Sequence, residues 1–509
     1  MKRVRLIDKS VRPAISILDA IADHALFARW FNRSDSWDAW LAFLAALFTL
    51  PMTPQQLKLY RQCTGRDEPP QSVAAEVWLV IGRRGGKSFI LALIAIYLAC
   101  FFDYRRFLAP GERGTILILA ADRKQARTIF RYLRALLTEV PLLSRMVERE
   151  TADAFDLKNR ISIEVGTASF RSTRGYTLVA ALCDEIAFWS VDDDAADPDR
   201  EIIAALRPGM ATIPNAMLLC ASSPYARRGA LWDAHRRYYS KPGPILVWQA
   251  PTLTMNPTVP RRVIEEATER DPASAAAEYG AQFRTDVEQL LTREAVEACI
   301  AHGVRERPRV AGQRYHAFVD PSGGSADSMT LAIGHREGEG VIIDALRERK
   351  PPFSPEAVVE EFATLLKSYG VNRIIGDRYA GEWAREPFRK FGIIYEPSAK
   401  PKSDLYRDLL PAINSKLLDL IDNDRLLNQL VGLERRTARG GRDSIDHAPG
   451  GHDDLANACA GVAVACLGGP RNNGYLSDPA LEPARADAIM SEWRALQQFS
   501  RSRLTPLGG

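Results

Sequence analysis

The sequence predicts an α/β protein built from two large domains, and three observations support this prediction. The 509-residue chain contains two series of short Val-, Ile- and Leu-rich runs that alternate with helical patterns. Continuous apolar runs of this kind are typical of parallel strands that are buried on both faces of a sheet. A polar stretch separates the two series, and a Gly-rich turn follows the first run. The length of the chain also suits two large domains.

The composition argues against several classes of protein. The formal net charge is only +4, so no overall basic field indicates nucleic acid as a partner. The seven cysteines are scattered without a CxxC pair, which argues against a disulfide framework and a cysteine-based zinc site and favours a reducing compartment. The apolar runs at 40–50 and 89–102 are shorter than the ~20 residues that a membrane span needs. We therefore expect two buried helices and no membrane partner.

The apolar runs divide the chain into five parts. We predict a helical N-terminal segment at 1–60, a first α/β domain at 61–285, a linker at 286–310, a second α/β domain at 311–470 and a tail at 471–509. The predicted strand segments of the first domain lie at 73–82, 115–121, 161–167, 177–185 and 216–224. Those of the second domain lie at 315–324, 329–349, 371–381 and 392–398. Helical patterns between several of them predict crossover connections.

A phosphate-binding pattern follows the first predicted strand, where GRRGGKS lies between a buried run and a long apolar helix. Glycines allow backbone N–H groups to turn toward a phosphate, and the helix N-terminus adds partial positive charge. Lys87 is predicted to reach the terminal phosphates of a nucleotide, and Ser88 to place its hydroxyl on Mg²⁺. Because the two outer glycines enclose three residues instead of four, the prediction depends on the strand–loop–helix context. The predicted nucleotide-binding residues of the loop are Gly82, Arg83, Arg84, Gly85, Gly86, Lys87 and Ser88.

Another strand of the first domain ends in two acidic residues that complement this loop. Asp184 is predicted to join the nucleotide site as an Mg²⁺ ligand, and Glu185 to act as the catalytic base. The next strand ends at Ser222 and Ser223, whose hydroxyls suit sensing of the γ-phosphate and coupling of hydrolysis to domain movement. A merely polar strand end is the alternative. Arg174 lies just upstream of the acidic strand and suits neutralisation of transition-state charge, with a surface turn as the alternative.

Acidic residues also end buried segments of the second domain. Asp320 and Asp377 each follow an apolar run, and Asp453 and Asp454 stand at the start of the last helix. Carboxylates at the C-terminal ends of central strands face the crevice where α/β sheets bind ligands. Oxygen ligands suit Mg²⁺ and Mn²⁺, and two such ions about 3.5–4 Å apart can clamp the reacting oxygens of a phosphodiester cleavage. The sequence therefore predicts a two-metal site, with unrelated acids and a helix cap as the alternative.

The adjacent carboxylates at the last helix are predicted to have different roles. Successive helical residues point about 100° apart, so Asp453 and Asp454 do not share a direction. Asp454 lies on a flank with the small residues Ala458 and Gly461, which would let the helix approach a sheet closely. We therefore expect Asp454 to be the direct metal ligand and Asp453 to be a second ligand or a helix cap.

Several neighbouring residues leave alternatives open. Asp327 is a weaker metal candidate and more typical of a turn. His452 suits a metal-shell or general-acid role, but a histidine that bonds nearby backbone is an equal alternative. Lys400 and Lys402 suit DNA phosphate contacts, and a solvated loop is the equal alternative.

Taken in order, these motifs resemble those of a known family. GRRGGKS, LCDE, the SSP strand end, VDPSGG, GDRYAG and HDDLANA are spread over about 75–465 and resemble the large subunit of the terminases of tailed bacteriophages. The resemblance implies a RecA-like P-loop ATPase domain followed by an RNase H-like, metal-dependent endonuclease domain. It implies that Lys87 and Ser88 bind nucleotide, that Asp184 holds Mg²⁺ and that Glu185 is the catalytic base. The implied nuclease metal ligands are Asp320, Asp377, Asp453 and Asp454, and the implied candidates for an arginine finger are Arg83, Arg84 and Arg174.

The resemblance also implies cofactors, partners and a place of action. The cofactors would be ATP with Mg²⁺ and two divalent ions, Mg²⁺ or Mn²⁺, in the nuclease site. The partners would be double-stranded viral DNA, the portal protein of an empty procapsid, a small terminase subunit and further copies of the chain in a ring. The chain would act in the host cell cytoplasm, transiently at the procapsid portal, and would be absent from the mature virion.

Two other functions suit the same motifs. One is an ATP-driven DNA helicase or remodeller whose C-terminal half binds nucleic acid without cutting it, which predicts no cleavage with Mn²⁺. The other is a P-loop phosphotransferase that acts on a small molecule, which predicts ATP hydrolysis indifferent to DNA.

Overall fold

The structure is a computed structural model, which describes residues 13–32, 36–168, 175–189, 198–325, 327–377, 384–437, 443–448 and 451–468. Within these residues the chain forms two large sheets and one small sheet. Each strand segment predicted from the sequence contains a strand. No helix of the described residues is both long enough and apolar enough to cross a membrane.

The first sheet lies in the N-terminal half of the chain. Its eight strands are β1 (Glu76–Ile81), β2 (Gly114–Ala120), β3 (Val147–Glu150), β4 (Ala154–Leu157), β5 (Ile161–Thr167), β6 (Thr177–Asp184), β7 (Met217–Ser222) and β8 (Ile245–Ala250). Their order is β3–β4–β5–β2–β6–β7–β1–β8. In this sheet order, the six neighbouring strands β5, β2, β6, β7, β1 and β8 pair in parallel. Strands β3 and β4 form an antiparallel edge beside β5. The continuous Val, Ile and Leu runs are buried because helices cover both faces.

Eleven α-helices lie in the described residues of this half, and most of them pack on the two faces of the sheet. They are α1 (Ile17–Ala22), α2 (Asp38–Leu47), α3 (Pro54–Thr64), α4 (Lys87–Phe101), α5 (Arg123–Thr138), α6 (Pro141–Ser144), α7 (Pro198–Met210), α8 (Gly229–Tyr238), α9 (Thr252–Met255), α10 (Arg261–Arg270) and α11 (Pro272–Glu278). Helices α1 to α5 share one buried apolar cluster, and α7 and α8 share the other. The predicted N-terminal segment belongs to the first cluster, where the rings of Phe43 and Trp248 lie 5.5 Å apart. The apolar runs at 40–50 and 89–102 lie in the buried helices α2 and α4.

The strand order places the predicted nucleotide residues at one edge of the first sheet. Strand β7 lies between β1, which precedes the phosphate loop, and β6, which ends at Asp184. Because these strands are parallel, their carboxyl ends meet at the same edge. The predicted α/β sheet of mainly parallel strands is confirmed.

The second and third sheets lie in the C-terminal half. Their strands are β9 (Val287–Gln289), β10 (Ile300–Ala301), β11 (Tyr315–Asp320), β12 (Met329–Glu337), β13 (Gly340–Arg349), β14 (Arg373–Gly376), β15 (Ile394–Pro397), β16 (Leu418–Ile421), β17 (Leu433–Arg436) and β18 (Ser444–His447). The second sheet has the order β10–β16–β13–β12–β11–β14–β15, and the third has the order β18–β17–β9. Strands β11, β12 and β13 are antiparallel, whereas β14 and β15 continue in parallel from β11. The second predicted α/β series therefore forms a mixed sheet.

Six helices of the described residues complete the second domain, and the segment predicted as a linker also belongs to this domain. The helices are α12 (Arg293–Glu297), α13 (Pro355–Ser368), α14 (Arg385–Lys390), α15 (Lys402–Asn414), α16 (Asp424–Val431) and α17 (Asp454–Gly468). Residues 286–310 contribute β9 to the third sheet and β10 to the second. Val296 and Cys299 are buried in the same apolar cluster as Leu433. The segment is therefore built into the second domain, because its apolar side chains need that core for burial.

Candidate nucleotide and metal sites

Lys87 lies at the start of α4, and its side chain is buried at the meeting point of three strand ends. Its Nζ donates to Ile81 O at 3.1 Å and to Ser223 Oγ at 3.0 Å. The same ammonium lies 3.1 Å from Glu185 Oε1. Lys87 therefore joins the ends of β1, β6 and β7, which is where a nucleotide phosphate would bind to a loop of this type.

The glycines of the phosphate loop are required by close packing. A Cβ on Gly82 would lie 2.3 Å from the hydroxyl oxygen of Thr252. Gly86 has a φ of +96°, a conformation that favours glycine. Trp40 Nε1 donates to Gly85 O at 2.8 Å, which ties the turn to the N-terminal helices. The shortened loop therefore forms a sharp turn between β1 and α4.

Asp184 has the environment expected of an Mg²⁺ ligand. Its carboxylate is fully buried, and Oδ2 accepts hydrogen bonds from Ser88 Oγ at 2.7 Å and Gln125 Nε2 at 2.9 Å. Among the described residues, its Oδ1 has no hydrogen-bond partner. Burial and the neighbouring charge of Glu185 raise the pKa of Asp184 to about 6. A cation beside Oδ1 would satisfy this buried oxygen, so Asp184 and Ser88 fit a divalent ion. Gln125 was not predicted from the sequence.

Glu185 adopts a strained backbone conformation, with a φ of +52°. Such a conformation is uncommon for a residue other than glycine and is often found at functional sites. Its Oε2 accepts hydrogen bonds from Ser222 Oγ and from Ser223 N, both at 3.1 Å. The predicted base and the two predicted coupling serines are therefore in direct contact.

The arginine candidates differ in their surroundings. Arg83 is exposed and forms an ion pair with Glu278 at 3.3 Å. Arg84 is also exposed, has a φ of +64°, and its carbonyl oxygen accepts a hydrogen bond from Asn256. Arg174 lies outside the described residues. The choice of arginine finger stays a prediction.

The acids predicted for the second domain converge around the amide of Asn457. Asn457 Nδ2 donates to Asp320 Oδ2 at 2.8 Å and to Asp377 Oδ2 at 3.1 Å. Burial raises the pKa of Asp320 well above its usual value, and the charges of Asp377, Asp454 and Asp453 raise it further. The ends of β11 and β14 therefore meet the start of α17 within a single electrostatic environment.

Asp454 is the acid of this group that best fits a metal ligand. In the described part of the chain, its Oδ2 is buried without a hydrogen-bond partner. Burial and the charge of Asp453 raise the pKa of Asp454 to about 6. Thr330 Oγ1 donates to its backbone oxygen at 2.7 Å, which fixes the start of α17 against β12. This carboxylate therefore fits a divalent cation.

Asp453 is also buried, but it already has a cation beside it. Lys402 Nζ lies 2.9 Å from Asp453 Oδ2, and the Tyr406 hydroxyl donates to the same oxygen at 2.8 Å. Lys402 also pairs with Asp446 Oδ1 at 2.9 Å. Among the described residues, Asp446, His447 and Asp453 have ligand atoms that all lie within 4.8 Å of one another. The two adjacent acids therefore have different surroundings, and the roles predicted for them stay a prediction.

Two candidates have exposed side chains, and three residues that contribute to the site were not predicted. Asp327 and His452 are exposed, although the charge of each acts on the pKa of Asp454. Lys402 was predicted as a DNA phosphate contact or part of a solvated loop, not as a partner of these acids. The unpredicted contributors are Tyr406 on α15, Asp446 on β18 and Asn457 on α17. The position of Asn457, one turn after Asp453, is the sequence signal by which it could have been found.

Comparisons with known proteins find similarity to solved structures alone, since no family model and no curated protein matches. The large terminase of bacteriophage HK97 is 17% identical, with 77% of this chain and 91% of that chain covered and a TM-score of 0.34. A large terminase from a thermophilic bacteriophage is 13% identical, with 82% and 99% covered and a TM-score of 0.35. The large terminase nuclease of thermophilic phage G20c is 18% identical, with 34% and 95% covered and a TM-score of 0.30. These three solved structures are two large terminases and one large terminase nuclease.

Proposed function

We propose that this chain is a large terminase subunit that combines two enzymes. An ATPase in the first domain would drive double-stranded viral DNA into a procapsid, and a metal-dependent endonuclease in the second would cut concatemeric DNA. The observation that carries the proposal is the pairing of two separate acidic sites in one chain. One lies beside a phosphate loop at the end of a parallel sheet, and the other gathers acids from β11, β14 and α17.

In the ATPase site, the contacts of Lys87 suggest how nucleotide binding prepares the base. Lys87 now neutralises Glu185, at 3.1 Å. A terminal phosphate would attract the ammonium away and leave Glu185 to orient the attacking water and take its proton. Ser88 and Asp184 would hold Mg²⁺, which neutralises charge on the phosphate oxygens when bound. Arg84 or Arg174 would supply the positive charge of an arginine finger.

In the nuclease site, the buried acids would hold divalent ions and position the phosphodiester. Asp320, Asp377 and Asp454 are proposed as direct ligands, with Asp453 as the ligand of a second ion. Two Mg²⁺ or Mn²⁺ ions would activate the attacking water and stabilise the leaving oxygen. Asn457 holds Asp320 and Asp377 in place through its amide, so that little movement is needed when an ion binds.

The contact between the domains suggests how hydrolysis is coupled to movement. The serines that contact Glu185 begin the segment 222–228, which continues to Tyr225 and Arg228. Tyr225 donates to Glu434 Oε2 at 2.8 Å, and Arg228 forms an ion pair with the other oxygen of the same carboxylate. Glu434 lies on β17 and is fully buried. A shift of Glu185 on hydrolysis would therefore reach the second domain through a short segment.

The remaining partners follow from the proposed activity. Packaging requires the portal protein of the procapsid, and we propose that several copies of the chain form a ring on it. A small terminase subunit would select the viral DNA. The site of action would be the host cell cytoplasm, transiently at the portal, with the chain absent from the mature virion.

The first experiment measures ATP hydrolysis with and without double-stranded DNA. We expect DNA to stimulate hydrolysis, and Lys87→Ala to lower it by at least about a hundredfold because the phosphates lose their buried cation. The exposed Lys58→Ala serves as a control with near wild-type activity. Hydrolysis indifferent to DNA would favour the small-molecule phosphotransferase. Loss of DNA cleavage together with ATPase activity in Lys87→Ala would contradict the division into two sites.

A further inference from the structure

Lys402 is the first residue of α15, and its ammonium lies inside the acidic cluster of the second domain. Its Nζ is 2.9 Å from Asp453 Oδ2 and 3.3 Å from Asp453 Oδ1, and it is 2.9 Å from Asp446 Oδ1. Both oxygens of Asp453 therefore contact the same cation. The Tyr406 hydroxyl supplies a second donor to Oδ2.

This arrangement has a physical cause. Asp453 is only 5% exposed, and a buried carboxylate without a counter-charge is strongly unfavourable. Lys402 supplies that charge, and Asp446 holds the ammonium from the other side. Lys402 therefore stabilises the most buried of the four predicted metal ligands.

The adjacent acid has the opposite surroundings. Asp454 Oδ2 is buried with no hydrogen-bond partner among the described residues. Asp320 and Asp377 contact a neutral amide on Asn457. Asp453 is therefore paired with a cation, whereas the buried Oδ2 of Asp454 has no hydrogen-bond partner among the described residues.

We propose that Lys402 is a positioning residue that occupies the cation position at Asp453, so that a divalent ion binds there only after displacing the ammonium. The proposal rests on the proposed nuclease function. No ammonium among the described residues pairs with Asp454, so an ion that binds at Asp454 does not have to displace one. Divalent ions would consequently bind in two unequal steps, a stronger step at Asp454 and a weaker one at Asp453.

The displacement would also affect the third sheet. Lys402 links α15 to Asp446 on β18, and Asp446 lies opposite Glu434 in the register of β17 and β18. Entry of the second ion would break this link. The weaker ion-binding step would therefore affect β18, which pairs with β17, the strand whose Glu434 contacts Tyr225 and Arg228 of the first domain.

The test is a calorimetric titration of the full chain with Mn²⁺, without DNA or nucleotide. All proteins carry Asp184→Asn, which removes the ion site of the first domain. In Lys402→Met, the weaker binding step is expected to tighten by about tenfold or more, because the competing charge is gone. Lys402→Arg keeps the positive charge, so this variant is expected to bind Mn²⁺ as tightly as the protein with Lys402. Lys400→Met is the matched control, since Lys400 pairs with Asp408 outside the cluster.

A merely structural role for Lys402 predicts the reverse result. If Lys402 only held the acids in place, Lys402→Met would bind Mn²⁺ equally or more weakly, and the proposal would be overturned. Lys402→Gln retains a hydrogen-bond donor without the charge. If Lys402→Met does not fold, Lys402→Gln replaces it in the titration, and the same two outcomes support or overturn the proposal.

Asp320→Asn distinguishes failure of the Lys402 proposal from failure of the proposed nuclease site, because it must weaken the stronger Mn²⁺-binding step. Unchanged binding in Asp320→Asn contradicts the nuclease site itself, and no binding by any variant contradicts both proposals.

Discussion

Asp184 and Asp454 each bury a carboxylate oxygen that has no hydrogen-bond partner among the described residues. Buried polar groups are normally hydrogen-bonded, and an unsatisfied one lowers the free energy of unfolding. Burial is also the main cause that raises the pKa of both groups to about 6. The buried carboxylates of the two residues therefore lower the free energy of unfolding, as expected of side chains whose function is to bind a cation.

Asp184→Asn is expected to make the ion-free protein more stable at neutral pH. Because the folded-state pKa is raised from 3.8 to about 6, the native state holds a proton between those values that the unfolded state releases. Stability of the unsubstituted protein therefore falls as pH rises through this window. Asparagine remains neutral, so Asp184→Asn should raise the melting temperature at pH 7.5 by several degrees, and the gain should shrink toward pH 4.

Thermal unfolding with a chelator present measures this effect. The exposed Asp67→Asn is the control and should show no such pH-dependent gain. Equal melting temperatures of Asp184→Asn and the unsubstituted protein at pH 7.5 would contradict the claim that the buried charge of Asp184 destabilises the folded protein.

Helix α17 is the element that brings the nuclease acids together. It crosses β11 so closely that a Cβ on Gly461 would lie 2.1 Å from Phe318 Cδ2. Gln429 Oε1 accepts from the N–H groups of Leu455 and Ala456 at 2.8 and 3.0 Å, which caps the helix. The small residues predicted to allow a close approach thus lie against the sheet.

Gly461→Ala is expected to move α17 and to impair both folding and DNA cleavage. The added methyl group overlaps the Phe318 ring, and overpacking of this kind costs about 1–3 kcal/mol. Urea unfolding should show that loss, and cleavage should fall while ATP hydrolysis is retained. Gly468→Ala is the matched control, because a Cβ there meets nothing within 4 Å. If both variants behave alike, the close approach of α17 does not position the acids.

The sequence was informative for some elements and not for others. Strands such as β1, β6 and β11 are continuous apolar runs, and their ends supplied Asp184 and Asp320 as candidates. Strands β16, β17 and β18 have four residues each, and the last two carry charged side chains, so no periodicity predicted them.

The contact between Lys402 and Asp453 spans 51 residues of sequence and depends on the packing of α15 against α17. A local pattern cannot reveal such a contact. The role of Lys402 was therefore open at the level of sequence, between a phosphate contact and a solvated loop. The structure contradicts the solvated loop, because Lys402 begins α15 and pairs with Asp446 and Asp453, and the phosphate contact stays a prediction.

At the scale of the whole molecule, the two domains meet at a buried carboxylate. Glu434 of β17 is 0% exposed and contacts Tyr225 and Arg228 from the first domain. Arg436 also lies 3.4 Å from it. Since removal of one partner leaves a buried charge less compensated, this contact should matter for stability as well as for coupling.

Arg228→Ala is expected to lower the free energy of unfolding by about 2 kcal/mol, because Tyr225 and Arg436 compensate only part of the charge of Glu434. It should also reduce the DNA-stimulated part of ATP hydrolysis more than the basal rate. Arg227→Ala is the neighbouring control, since Arg227 lies over the Trp232 ring. Equal effects of the two substitutions would show that the Glu434 contact does not link the domains.

The most direct test of the central claim, two independent enzymes in one chain, is digestion of plasmid DNA by the purified protein with Mn²⁺. The account predicts cleavage by the unsubstituted protein and by Lys87→Ala, and no cleavage by Asp320→Asn, which still hydrolyses ATP. If the unsubstituted protein and Asp320→Asn are equally inert, the C-terminal domain only binds DNA, as in a helicase or remodeller. If they cut equally well, the acids around Asn457 are not the nuclease site.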